Sequence, residues 1–81
     1  MILGRQIRAA RALAGLSQDE LAATSGCGVA TVRRLEASAD DVGGTAQTIA
    51  RIQRALEAAE IVFIEQDDKH GPGVRLKVPL R

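Results

Sequence analysis

Ser17-Gln18-Asp19-Glu20-Leu21-Ala22-Ala23-Thr24-Ser25-Gly26-Cys27-Gly28-Val29-Ala30-Thr31-Val32-Arg33-Arg34-Leu35-Glu36 is the stretch that decides how this chain folds. Ser17 and Glu20 stand in the S-x-x-E spacing of a capping box: the hydroxyl accepts a first-turn N–H, and the carboxylate reaches back to the cap. A helix is therefore expected to start there, with Leu21 and Ala22 turned inward. Ala22 is small enough for a second helix to cross closely. Gly26 marks a sharp turn, where a residue without Cβ takes φ > 0 at little cost. The second helix is expected from about Gly28, with Val32 and Leu35 three apart on its buried side.

Two short helices joined by a glycine turn form a helix-turn-helix, whose second helix enters the DNA major groove. Leu16-Ser17-Gln18-Asp19-Glu20-Leu21-Ala22, then Gly26, then Thr31-Val32-Arg33-Arg34-Leu35-Glu36 resembles the phage-repressor/Cro-type (xenobiotic-response-element) family of bacterial DNA-binding domains. The resemblance reaches upstream to Arg11 and covers roughly the first two-thirds of the chain. It implies an ion pair between Arg11 and Glu36, tying the first helix of the domain to the end of the recognition helix. It also implies a DNA-backbone contact from Gln18. The alternative for Arg11 and Glu36 is two unrelated surface charges.

Eighty-one residues suffice for one domain. Phe63 is the sole aromatic residue, so the core is aliphatic and small, and burial against a partner is expected. A substrate-enclosing cleft is hard to build at this size. The net charge of +1 does not by itself argue for nucleic acid. Its distribution does: Arg5, Arg8, Arg11, Arg33 and Arg34 outnumber Asp19, Glu20 and Glu36, and a basic face is enough for phosphate contacts. Met1 to Arg5 leads straight into a helix with no long apolar run, so neither a signal peptide nor a membrane span is expected. A lone cysteine suits a reducing cytoplasm.

Before the central stretch, Leu3, Ile7, Ala10 and Leu13 (or Ala14) recur at helical spacing, which predicts a first helix over Leu3 to Leu13 with Gly15 as its C-cap. After it, Ala37 to Gly44 reads as a loop. Thr45 caps a further helix with Ile49, Ile52 and Leu56 as its apolar stripe, ending at Ala58-Ala59-Glu60. The period then changes. Ile61-Val62-Phe63-Ile64 is a continuous apolar run, Gln66 to Gly73 is turn chemistry, and Val74 to Val78 alternates, which together predict a hairpin. The fold class is thus mostly α: a four-helix repressor-like domain over 1–60, with a C-terminal β-hairpin over 61–81 in the same compact unit. The hairpin departs from the family's commoner all-helical continuation. It is expected to pack on the helices and on a second copy, through Ile61, Val62, Phe63, Ile64, Val74 and Leu76.

At about 100° per residue, Ala30 and Arg34 lie opposite Val32 and Leu35, with Arg33 beside them. Arg34 has the donors for a bidentate contact to guanine; Val29 and Ala30 offer only apolar contact, best met by a thymine methyl. Arg33 reaches either phosphate or base. Gln18 and Thr31 are candidates for phosphate, and Gly28 opens the helix at the DNA surface. Arg5 and Arg8 are either helix-surface charges or phosphate contacts. Cys27 reads as a buried, inert thiol. His70, in turn chemistry without a second ligand at metal spacing, does not predict a metal site, and no nucleophile–base set is present.

The expected function is a transcriptional regulator, repressor-like and of bacterial or phage type, that binds double-stranded DNA at an inverted-repeat operator as a homodimer. It is expected to work in the cytoplasm, on the nucleoid when bound, without cofactor, metal or catalytic activity. Two alternatives use the same fold: an antitoxin whose tail holds a protein partner, and a protein-interaction module without DNA.

Overall fold

The computed structural model describes residues 2–38 and 45–80. Four helices and one hairpin follow in order: α1 (Gly4–Ala14), α2 (Gln18–Ser25), α3 (Val29–Ala37), α4 (Ala46–Ala58), β1 (Ile61–Ile64) and β2 (Gly73–Leu76). Of the loop expected over Ala37 to Gly44, Ala37 closes α3 and residues 39–44 lie outside the described residues.

The helix ends form where the capping chemistry predicts. Ser17 Oγ accepts the Glu20 N–H at 3.0 Å, and Glu20 Oε1 accepts the Ser17 N–H at 2.8 Å. The Ser17 backbone N–H, with a smaller contribution from the Ser17 hydroxyl, holds the Glu20 carboxyl below its ordinary pKa. Gly15 and Gly26 end α1 and α2 at φ 73° and 77°, left-handed values that favour glycine. Thr45 Oγ1 accepts the Thr48 N–H at 3.2 Å and starts α4.

One aliphatic core joins all the elements. Ile7, Ala10, Leu21, Val32, Leu35, Ile52 and Leu56 are fully buried, with Ile2, Ala22, Ile49 and Ile61 beside them. Of the two residues left open for the end of the α1 stripe, Ala14 packs against the core and Leu13 is exposed. Cys27 is half-buried at the core's edge rather than enclosed, because it precedes the α3 cap on a connecting turn.

Two α1 residues do more than the apolar pattern assigns them. A Cβ on Gly4 would lie 2.1 Å from the Ser38 carbonyl oxygen and 2.3 Å from that of Leu35, so α1 starts in backbone contact with the end of α3. Gln6 is buried: its Oε1 accepts the Leu3 N–H at 2.8 Å, and its Nε2 donates to the Gly73 carbonyl at 3.1 Å. Its amide thus caps α1 and fastens the hairpin to it in one side chain.

The hairpin is antiparallel, with Ile61 opposite Leu76, Val62 opposite Arg75, Phe63 opposite Val74 and Ile64 opposite Gly73. β2 begins one residue earlier and stops two residues sooner than the alternation predicts. Glu60 has φ 69°, which bends the chain as it enters β1, and the Lys77 N–H donates to the Glu60 carbonyl at 2.7 Å just beyond the paired register. Ile61, Phe63, Val74 and Leu76 face this chain's own helices. Of the six residues assigned above to pairing two copies, only Val62 and Ile64 present their side chains outward, at 39% and 41% exposure. The physical reason is the two-residue period of a strand, which sends alternate side chains to the core.

Candidate nucleic-acid interface

α2 and α3 are joined by three residues, Gly26, Cys27 and Gly28, with Gly26 in the left-handed conformation that turns the chain at the end of α2. Leu21 and Ala22 on α2 and Val32 and Leu35 on α3 are buried together, which fixes the rotation of α3 about its axis. That rotation leaves Ala30, Arg33 and Arg34 exposed. Val29 and Thr31 are half-buried at the start of the helix, and Val29 packs against the core as well as lining the edge of this face. Gly28 caps α3 with extended backbone and is exposed.

The far end of α3 is anchored by charge. Glu36 is 4% exposed and takes two bonds from the Arg11 guanidinium, Nε to Oε2 at 2.8 Å and Nη2 to Oε1 at 3.1 Å. Arg11 Nη1 donates to the Leu16 carbonyl at 3.1 Å, so one guanidinium joins α1, the α1–α2 connection and α3. The bond to Glu36 raises the Arg11 pKa further above its already high value, which leaves it charged at every working pH.

Gln18, the first residue of α2, is half-buried against the same carboxylate. Its Nε2 donates to Glu36 Oε1 at 3.1 Å, and its Oε1 accepts from Arg33 Nε at 3.4 Å. Four side chains from three helices therefore form one chain of contacts: Arg11, Glu36, Gln18 and Arg33. The Gln18–Glu36 and Gln18–Arg33 links have no sequence signal, because they join residues 18 and 15 positions apart. For Gln6 the sequence signals burial, as a polar residue four before Ala10 on the buried stripe of α1, but not its partner Gly73.

A second group of acidic side chains lies on the hairpin, besides the exposed Asp19 and Glu20 of α2. Glu65, Asp67 and Asp68 lie in the exposed connection between β1 and β2. The Lys69 and His70 N–H groups donate to Asp67 Oδ1 at 2.8 and 2.6 Å and hold its carboxyl below the usual range, the Lys69 bond being the larger cause. Three carboxylates together repel phosphate, so this tip is a poor candidate for DNA. His70 lies 3.7 Å from Asp67, both well exposed, and among the described residues no group of His, Cys, Asp and Glu is arranged to hold a metal. Among the described residues no helix is long and apolar enough to cross a membrane.

Residues 2–61 match the family model of the helix-turn-helix domain, a span that runs from the buried Ile2 through all four helices to the first residue of β1. A search among curated proteins gives no match.

Proposed function

The chain belongs to the helix-turn-helix domain family, and from that membership we propose a sequence-specific DNA-binding transcriptional regulator of the Cro/CI type. In this reading it represses by occupying an inverted-repeat operator as a homodimer. α3 lies in the major groove. Arg34 reads a guanine, Val29 and Ala30 meet a thymine methyl, and Gly28, Thr31, Gln18 and Arg33 follow the backbone. The observation that carries the reading is the outward face of α3. It shows arginines and a small apolar residue to solvent, on a helix whose opposite side is fully buried and whose end is pinned by Arg11 and Glu36.

A single histidine in an exposed turn and a single half-buried thiol support a protein that is not an enzyme. No cofactor is proposed. A DNA-bound regulator works in the cytoplasm, on the nucleoid. The homodimer is proposed to form over Val62 and Ile64, with the open edges of the two-stranded sheet. An antitoxin, in which the same outer face holds another protein, is the second reading. The acidic hairpin tip favours it, since a protein partner tolerates those carboxylates where DNA does not.

Nuclear magnetic resonance of the labelled full chain, titrated with a mixed-sequence 20-base-pair duplex, tests the reading. Shifts are expected at Gln18, at residues 28–34 and nearby, and not at residues 65–70. Shifts confined to the hairpin, or none, would contradict it.

A further inference from the structure

Arg8, Arg11, Gln18, Arg33, Glu36 and Ala37 line a cleft of about 250 Å³ where α1, the start of α2 and α3 meet. Three of its six lining residues are arginines, on a chain whose net charge is only +1. Glu36, the only carboxylate in the lining, is 4% exposed, and both its oxygens already accept hydrogen bonds from Arg11 and Gln18. Its charge is answered by Arg11, which leaves Arg8 and Arg33 as the exposed cations of the cleft.

Glu36 also decides which way the Gln18 amide points. A carboxylate accepts only, so Nε2 must face it, and Oε1 is turned the other way, toward Arg33 Nε. Arg33 is thereby drawn along the side of α3 toward the start of α2. Arg34, the next residue, lies about 100° further round the helix. Adjacent arginines of identical chemistry are thus given different tasks by the Glu36–Gln18 pair.

We propose that Arg33 and Arg8 form a clamp for one DNA-backbone phosphate in this cleft, with Gln18 as the residue that positions Arg33, so that Arg33 does not read a base. The inference deepens the DNA-binding reading and rests on it. It brings Arg8 of α1 into the interface and gives the backbone role of Arg33 a positioning partner in Gln18.

Binding of the full chain to a mixed-sequence 30-base-pair duplex, measured across a salt series, tests the clamp together with the sequence profile that the protein selects from a randomised duplex pool. Arg8→Ala and Arg33→Ala should each make the slope of log affinity against log salt shallower, by up to about 0.9, the value for one phosphate. Both should leave the selected profile unchanged. Arg33→Lys, which keeps the charge, should keep most of the slope. A changed base preference in Arg33→Ala at an unaltered slope would make Arg33 a base reader and overturn the proposal. An unaltered slope in Arg8→Ala would overturn the clamp. If the unsubstituted chain shows no salt-dependent duplex binding, the DNA-binding reading itself falls, and the clamp with it.

Discussion

The Arg11 guanidinium meets the Glu36 carboxylate at two points, 2.8 and 3.1 Å, and so holds the end of α3 against α1. Glu36 is the more buried partner, 4% exposed against 20% for Arg11. Glu36→Gln keeps the shape but removes the charge, leaving a partly desolvated guanidinium with a neutral acceptor. The substitution should cost about 1.5–3 kcal/mol, the range for hydrogen bonds to charged groups. Urea denaturation should show the loss, and duplex affinity should fall with it. An unchanged midpoint would mean that the pair contributes nothing to stability.

Gly4→Ala should be as damaging as a core substitution, although it adds one methyl group. The new Cβ meets two backbone carbonyls, of Ser38 and Leu35, and backbone cannot rotate out of the way. α1 must move off α3, at a cost of about 1–3 kcal/mol, as for overpacked cores. The thermal midpoint should drop by several degrees, since each kcal/mol is worth about 4–8 °C in a domain of this size.

Glu60 adopts φ 69° with a Cβ, and its carbonyl accepts the Lys77 N–H at 2.7 Å. Left-handed backbone disfavours such a residue by about 1–2 kcal/mol, and glycine escapes that cost while losing some unfolded-state entropy. Glu60→Gly should therefore raise stability by roughly 0.5–1 kcal/mol in urea denaturation. A destabilised variant would contradict this account of the turn into β1.

These three positions show what the sequence could and could not disclose. The ends of α2 were legible because capping is local: Ser17, Glu20 and Gly26 carry it within one turn of helix. The buried sides of α3 and α4 were legible from Val32, Leu35, Ile49, Ile52 and Leu56, since a period of 3.6 needs no knowledge of the neighbour. Arg11–Glu36 spans 25 positions and came only from the family resemblance. Gly4 and Gln6 depend on which backbone approaches them, Ser38 in one case and Gly73 in the other, and periodicity says nothing about that. The hairpin was legible as strands, but its inner and outer faces required knowing where the helices lie.

The dimer prediction follows from those faces. Cutting the chain after Glu60 would strip Ile61 and Phe63 from the core and Gly73 from Gln6, so loss of fold and loss of dimer would be confused. Val62→Lys with Ile64→Lys changes only outward side chains. The doubly substituted chain should keep its helical circular dichroism and sediment as a monomer at micromolar concentration, and the unsubstituted chain should sediment as a dimer. A variant that remains dimeric would move the interface away from the hairpin.

Sequence-specific reading of DNA by the exposed face of α3 is tested most directly by selection of duplexes from a randomised pool, with the unsubstituted chain and Arg34→Ala in parallel. The unsubstituted chain should enrich an inverted repeat with half-sites about one helical turn apart, roughly 34 Å. Arg34→Ala should lose one guanine preference in each half-site and bind the enriched sequence about 1–3 kcal/mol more weakly. Gln18→Ala should weaken binding to all sequences nearly alike. A pool retained without sequence preference, or an Arg34→Ala profile identical to that of the unsubstituted chain, would contradict the account.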